Sequence, residues 1–382
     1  MRVLTVIDSL IVGGAEKSLA MLTPHLVARG VEMHVAFLKD RSGVGEELKA
    51  GGATLHSLAA SEGWVRSLVS TTRLMRSLRP DLVHTTLFTA DIVARTAAWL
   101  LRIPVVSSFV TDSYGPEHVS NPEYSAWKVR AARLVDALTA RFVTRFHAVS
   151  STTATVMAER LRISPNKIQV ITRGRDPQRL GERSNERRDR VRAEIGISQG
   201  VPLVFAAARH YHFKGLDVLV SAFARIVDSL PAAQLLVAGR EGPATPELQR
   251  FIAQENLEAS VTLAGYRSDV ADLMCAADVF VLPSRAEGSP GVLIEAMALE
   301  APTVASDIPS VRELAGDTSE TVSLCTLESA DDMARAILEL LENPSRAAAM
   351  ARAGRRRYLD RYAMDAIAEA TVALYRSCLA DT

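Results

Sequence analysis

The chain has 382 residues, 48% of them apolar and 23% charged, with 44 Lys plus Arg against 44 Asp plus Glu. That balance excludes a global field drawing the protein to nucleic acid or another polyanion, and the apolar share excludes a disordered or fibrous chain. No stretch holds the ~18 consecutive apolar residues that a membrane-spanning helix needs, and at roughly 100–200 residues per domain the length predicts two domains.

The N-terminal "MRVLTVIDSLIVGGAEKS" enters a strand directly, without the apolar core and small-residue cleavage site of a leader. The cysteines, Cys275, Cys325 and Cys378, form no CxxC pair and are odd in number, so a reduced, cytoplasmic setting is expected. After the strand "RVLTVID" comes helical spacing through Leu19, Leu22, Leu26 and Val27, stopped at Gly30 and interrupted by Pro24, which argues against a regular helix there. "VEMHVAFL", "DLVHTTL" and "IPVVSSFV" are strands, the last two separated by the helix "FTADIVARTAAWLLR". "RFHAVSS" and "KIQVITRG" close this half. Polar, charged sequence from Asp176 to about Arg192 reads as an interdomain linker with a helix starting before its end.

The second half repeats the alternation: "VPLVFAAAR", "AQLLVAGR", "SVTLAGY", "DVFVLPS", "APTVASD" and "TVSLCTL" are strands with helices between them, and a mainly helical tail follows. Apolar strands joined by helices predict an α/β fold of two Rossmann-like, doubly wound domains, one over 1–180 and one over 190–360. Such sheets bind ligands beyond the carboxyl ends of their strands. "SLIVGGAEKS", "AARHYHFKGL", "AGREG" and "PSRAEGSPGVLIEA" all fall at strand ends.

In the last of these, Ser289 is placed to cap a helix and Pro290 to occupy its first turn. The unpaired N–H groups at such a helix start can hold phosphate oxygens. Glu295, inside the helix, can accept two hydroxyl hydrogens, as from a ribose, and Glu287 on the turn can reach the group beyond the phosphates. The plain alternative is a capping turn with two surface acids. Arg209 and Lys214 can neutralise a diphosphate, where a leaving group gaining charge is stabilised more in the transition state than before it; the alternative is a solvated basic turn. His210 and His212 lack a third ligand, so no metal site is expected. Gly13 and Gly14 let backbone approach an acceptor or a phosphate, or simply make a tight turn. Neither GxGxxG nor GxxxxGK[ST] occurs at that turn.

Together "GGAE", "HAVSSTTA", "QVITRGRD", "LLVAGREG", "VTLAGYRSDV", "APTVASDIPSVREL", Arg209 with Lys214, and Glu287 with Glu295 in "EGSPGVLIEAMA" resemble the retaining GT-B glycosyltransferases of family four. The resemblance implies two domains facing a cleft, with a last helix over 361–382 returning to the N-terminal domain. It implies transfer of a sugar from a nucleotide-diphosphate sugar to an acceptor hydroxyl with retention, by front-face attack assisted by the departing phosphate. No divalent metal or other cofactor is implied. By resemblance Arg209 and Lys214 contact the diphosphate, Glu287 the sugar, Glu295 the ribose, backbone over Ser289, Pro290, Gly291, Val292 and Leu293 the sugar and phosphate, and Arg267 the neighbourhood of the base.

Three departures stand out. Ala208 replaces the glycine usual before Arg209, and Arg173-Gly174, followed by Arg175 and Asp176, replaces an Asn-Gly pair. Phe109 stands where the family has a histidine touching the donor sugar; Asp112 is the leading stand-in, then His118 and His84. Tyr114, Tyr124 and Trp127 are candidates to line an acceptor site, or to pack internally, and "WKVRAARLVDALTARF" reads as an ordinary amphipathic helix or as one lying on a membrane. The expected partners are a nucleotide sugar and a small-molecule, lipid or glycan acceptor, without nucleic acid, in a monomer or homodimer with peripheral membrane contact open. A nucleotide-sugar epimerase, a sugar phosphorylase and a silent nucleotide-sugar-binding protein are the competing functions.

Overall fold

Alternating apolar runs and helical spacing give two all-parallel sheets. The computed structural model describes residues 1–40, 43–58, 63–115, 126–316 and 320–381. They divide into two units, Met1–Gly174 with Met364–Thr382, and Arg175–Ala363. In the first, β1 (Arg2–Ser9), β2 (Glu32–Lys39), β3 (Thr54–Ser57), β4 (Leu82–Thr86), β5 (Val105–Phe109), β6 (Arg145–Ala148) and β7 (Ile168–Val170) lie in the order β3-β2-β1-β4-β5-β6-β7. In the second, β8 (Leu203–Ala207), β9 (Gln234–Ala238), β10 (Val261–Leu263), β11 (Val279–Leu282), β12 (Thr303–Ser306) and β13 (Ser323–Cys325) lie in the order β10-β9-β8-β11-β12-β13. Val3, Leu4, Val6 and Ile7 are all fully buried because helices cover both faces of the first sheet. The order reverses beside β1 in one sheet and β8 in the other, which leaves a crevice at those strand ends.

The helix Met364–Ala380 packs Ile367, Ala368, Val372 and Tyr375 into the same core as Val3, Ile7 and Leu26, within the first unit. Pro24 does not break its helix, which runs unbroken over Gly14–Ala28. Burial of Ala20, Met21 and Leu26 outweighs the local cost of the proline.

The polar segment after Asp176 is not an open linker. It folds into the second unit as helices Pro177–Leu180 and Asn185–Glu194. Arg187 Nε meets Asp272 Oδ1 at 2.8 Å, and Arg188 Nη2 meets Asp278 Oδ1 at 2.6 Å. Arg183 and Arg192 donate to the carbonyls of Ala277 (2.8 Å) and Ala276 (3.0 Å), at the end of the helix Val270–Ala276. Guanidinium groups thus satisfy the orphan carbonyls of a helix C-terminus and oppose its negative dipole end. An arginine-rich stretch that looks solvated serves here as packing.

A buried polar chain runs through the first unit. His147 Nε2 lies 2.8 Å from the carbonyl of Ile171, which can only accept, so Nε2 carries the proton and Nδ1 accepts from Ser108 Oγ at 2.8 Å. Ser108 must then accept from His84 Nε2 (2.6 Å), and His84 Nδ1 accepts from the Tyr375 hydroxyl (2.7 Å). With both imidazoles neutral, every bond in the chain has one donor and one acceptor. Burial pushes His84 down to about 3 and lowers His147 as well. An unfolded imidazole protonates near 6.5, so the contribution of His84 to stability is full above that pH and declines as pH falls toward 3. His84→Gln cannot ionise. The melting-temperature advantage of wild type over this variant should therefore shrink between pH 7.5 and 4.5, by an amount on the order of several degrees. An advantage that stayed constant over that range would remove the neutral-chain assignment.

Cys275, Cys325 and Cys378 are buried free thiols. Among the described residues no helix is long and apolar enough to cross a membrane.

Candidate functional site

The second unit gathers its candidate residues at the ends of β8 and β11. After β8 the chain passes Arg209, turns over His212–Lys214, and reaches Gly215 at φ +64. A Cβ on Gly215 would lie 2.0 Å from the carbonyl oxygen of Pro283, so only glycine brings this turn against the end of β11. The consequence is a contact across 73 residues: Lys214 Nζ sits 2.5 Å from Glu287 Oε1, which also accepts from Ser284 Oγ at 2.8 Å. The two side chains are 15% and 13% exposed, so the pair is shielded from solvent but not sealed. Arg285, which the sequence reading passed over, fixes the same turn. Its backbone N–H donates to Phe213 O at 2.8 Å, and its guanidinium takes both Asp217 oxygens at 2.8 and 2.7 Å. Arg209 is exposed; its guanidinium lies 5.0 Å from the Tyr211 ring centre and has no carboxylate partner among the described residues.

Past Glu287 the helix spans Gly291–Ala298, and here two expectations are corrected. Pro290 is the N-cap residue, not part of the first turn, and Ser289 makes no cap. With proline in the cap position, Ser289 stands one residue too early, and its buried Oγ has no hydrogen-bond partner among the described residues. Leu293 N–H bonds to Pro290 O at 3.0 Å, whereas Gly291 and Val292 have no protein acceptor for theirs among the described residues. Glu295 Oε1 accepts from Arg175 Nε at 2.6 Å.

Arg267 pairs with Asp269 through Nε–Oδ1 (2.8 Å) and Nη2–Oδ2 (2.5 Å), just beyond β10. The paired carboxylate raises the arginine above its ordinary range. Beside it the Tyr266 ring, over half exposed, carries the Arg240 guanidinium 4.8 Å from its centre. His210 is buried against Thr245 (3.0 Å) and His212 faces Glu247 (3.5 Å), so the two imidazoles share no ligand position. Among the described residues no three His, Cys, Asp or Glu side chains form a metal cluster.

The remaining candidates lie in the first unit. Gly13 is the N-cap of the helix Gly14–Ala28. Cβ atoms on Gly13 and Gly14 would come within 2.4 Å of Glu16 Oε2 and 2.8 Å of Arg173 Nη1, so side chains already lie over this turn. Asp112 is held by Arg160 at 2.7 Å and accepts the Tyr114 N–H at 3.1 Å, which gives it a local structural task. His84 has both ring nitrogens engaged in the buried chain, so it is not an open donor contact. Phe109 is buried and stacked on Phe146 at 4.9 Å, facing core rather than ligand space. Tyr114 likewise points inward, its hydroxyl on Asp136 at 2.6 Å. His118 and Tyr124 lie outside the described residues. Trp127 is 67% exposed on the helix Ala126–Thr139, together with Leu134, Val135 and Leu138. A cavity of about 630 Å³ beside that helix is lined by Arg130, Arg133, Arg141, Arg162 and Lys167 over Leu134 and Phe146.

Residues 12–179 match the model of Glycosyltransferase Family 4, and residues 187–357 that of Glycosyl transferases group 1. The chain is a GT-B-fold relative of these two families. It is 27% identical over 256 residues to the 2-deoxystreptamine glucosyltransferase of Streptomyces kanamyceticus, matching 66% of this chain and 62% of that one. It is 25% identical over 251 residues to the UDP-Gal:alpha-D-GlcNAc-diphosphoundecaprenol alpha-1,3-galactosyltransferase of Escherichia coli, matching 64% and 62%. The chain thus spans about three fifths of the length of these curated relatives. In fold it is similar to Anabaena Alr3699/HepE in complex with UDP-glucose, with a TM-score of 0.85 at 21% identity over 99% of this chain and 100% of that one. In GT-B terms, the Lys214–Glu287 pair and the start of the helix Gly291–Ala298 lie in the second of the two Rossmann-like units.

Proposed function

We propose that this protein is a retaining, metal-independent glycosyltransferase that moves a sugar from a nucleotide-diphosphate sugar to an acceptor hydroxyl. The observation that carries the reading is the shielded Lys214–Glu287 pair, with Arg209 after β8 lacking a carboxylate partner, and Gly291 and Val292 N–H groups lacking a protein acceptor, among the described residues. The unit Arg175–Ala363 would hold the donor and the first unit the acceptor. Arg209, Lys214 and the Gly291 and Val292 N–H groups supply positive potential where the diphosphate gains charge. Glu287 faces the sugar and supports positive charge at the anomeric carbon as its bond to the diphosphate oxygen breaks. The acceptor oxygen forms the new bond on the same face, and its proton passes to the departing diphosphate. Fixed cations supply the neutralisation that a divalent ion would otherwise provide. Glu295 takes the ribose, Arg267 borders the base, and the Gly13-Gly14 turn approaches acceptor or phosphate once Glu16 and Arg173 move. Asp112 contacts the donor only if Arg160 releases it.

The test is a panel of UDP-, GDP-, ADP- and TDP-sugars assayed for binding and for nucleotide release with acceptor extracts. Acceptor-dependent nucleoside diphosphate release supports transfer; binding without turnover supports a silent binding protein; interconversion of the sugar nucleotide alone supports an epimerase. A cytoplasmic setting goes with this reading, and the exposed Trp127, Leu134 and Leu138 near the arginines of that cavity suit contact with an anionic bilayer. Phosphatidylglycerol vesicles should co-sediment the protein and phosphatidylcholine vesicles should not; equal recovery with both would remove that contact.

A further inference from the structure

Asp8 stands near the carboxyl end of β1, beside the point where the strand order of the first sheet reverses between β1 and β4. Leu4 and Val6, on the same face of the strand, belong to the core that also holds Ala90 and Ala94, so alternation turns Asp8 toward the helix Phe88–Leu101. Its Oδ1 accepts from the Ala90 N–H at 2.7 Å. Burial raises this carboxyl above its ordinary range, against the N–H groups of Ala90 and Thr89 and the Thr89 hydroxyl, while Lys39 acts on it only through its field. The groups bonded to Asp8 among the described residues are thus neutral. The turn that brings them there is strained: Leu87, directly after β4, has φ +76 and ψ 153, a region that is essentially glycine's. The same turn sets Phe88 against Trp64, ring centres 6.2 Å apart and nearly edge-on at 81°. Trp64 opens the helix Trp64–Leu78 and is 51% exposed. A half-exposed indole backed by a second ring therefore shares a strand-end crevice with a carboxylate that no cation neutralises directly.

We propose that Trp64, backed by Phe88, and Asp8 form an acceptor subsite in the first unit that takes a polyol ring, a sugar or cyclitol. The inference rests on the reading of the first unit as the acceptor side. Such a ring has an apolar C–H face and an edge of hydroxyl donors. The face lies on the indole, and one hydroxyl donates to Asp8. A carboxylate offers about four acceptor positions. The Ala90 N–H and the N–H and hydroxyl of Thr89 take three of them, which leaves one for the ligand. These backbone bonds hold Asp8 in place before the ring arrives, so little side-chain freedom is lost on binding. Asp8 is an orienting group here and takes no proton: the proton of the reacting hydroxyl still goes to the departing diphosphate.

The test is saturation-transfer NMR with methyl α-D-glucopyranoside, methyl α-D-galactopyranoside, methyl α-D-mannopyranoside and myo-inositol, titrated into wild type, Trp64→Ala, Asp8→Asn and Trp99→Ala. UDP, GDP, ADP and TDP are titrated calorimetrically into the same proteins. At least one ring should bind wild type through its C–H protons. Trp64→Ala should weaken that ring about tenfold or more, because an aromatic anchor dominates a small site. Asp8→Asn keeps an oxygen for the Ala90 N–H but loses the charge-assisted bond, and should weaken the ring about fivefold or more. Trp64 is half in solvent, so its variant still decides the matter if Asp8→Asn melts early. Trp99 is a comparably exposed indole, at 54%, stacked on Phe142 instead. Trp99→Ala should leave ring affinity within about twofold of wild type. Nucleotide affinity should hold in all three variants. Ring binding that survives in Trp64→Ala, or a wild type that binds nucleotide but none of the rings, overturns the inference and leaves the donor reading standing. A Trp64-dependent ring signal in a protein that binds none of the four nucleotides sinks the donor reading and leaves a polyol site. A wild type that binds neither removes both.

Discussion

Glu287→Gln should lower acceptor-dependent turnover by about 10²–10³-fold while changing nucleoside diphosphate affinity by less than about threefold. The substitution is close to isosteric and keeps an oxygen for the Ser284 hydroxyl, which sits 2.8 Å from Glu287 Oε1. What disappears is the negative charge 2.5 Å from Lys214 Nζ. In the proposed reaction that charge matters most when the anomeric carbon becomes positive, so its loss acts on kcat before it acts on binding. Lys214→Ala should behave differently. It removes a cation from the proposed diphosphate site in both ground and transition state, so binding and turnover should fall together. Initial rates of nucleoside diphosphate release, with calorimetric affinities for each variant, separate the two patterns. Glu287→Gln turning over within about fivefold of wild type would take the carboxylate out of the chemistry.

The folds of both units were legible because buried parallel strands betray themselves locally: runs such as "RVLTVID" and "DVFVLPS" need no partner to be recognised. Arg209, Lys214 and Glu287 stand out as charged candidates in the sequence because each follows the end of such a strand. Their partners were not. Arg175 and Glu295 are 120 residues apart in sequence, and nothing near either announces the other. Arg187, Arg188 and Arg192 look like a solvated run until the helix end they serve is in place. Ser289 has the composition of a cap but not the register, because Pro290 occupies the cap position. Tyr114 and Asp112 lie beside a strand end yet turn to Asp136 and Arg160. Position along a chain identifies where chemistry can occur; which side chains are spoken for is settled by tertiary neighbours.

Asp136→Ala should destabilise the first unit by about 3–5 kcal/mol, because it breaks a buried ion pair and leaves a cation with no route to water held by one carboxylate in place of two. Arg95 is fully buried, with Nη1 on Asp136 Oδ1 at 2.5 Å and Nη2 on Asp91 Oδ2 at 3.2 Å. The Tyr114 hydroxyl donates to the other Asp136 oxygen at 2.6 Å, and Ser107 Oγ donates to Asp91 at 2.8 Å. One buried arginine therefore faces two carboxylates. Burial pushes Asp91 up to about 6. A carboxyl raised in the folded state favours folding at low pH and disfavours it as pH climbs from 3.8 through 6. Removing Asp136 leaves Arg95 with that carboxylate alone and leaves the Tyr114 hydroxyl unsatisfied. The loss corresponds to a melting-temperature drop of roughly 6–20 °C. The double variant Arg95→Met with Asp136→Leu should recover much of it: the cation and its partner leave together, and Asp91 can become neutral by protonation. A double variant no more stable than Asp136→Ala would show that the hydrogen-bond framework, rather than the broken ion pair, sets the cost. An Asp136→Ala protein melting within about 2 °C of wild type would show that Arg95 is balanced without Asp136.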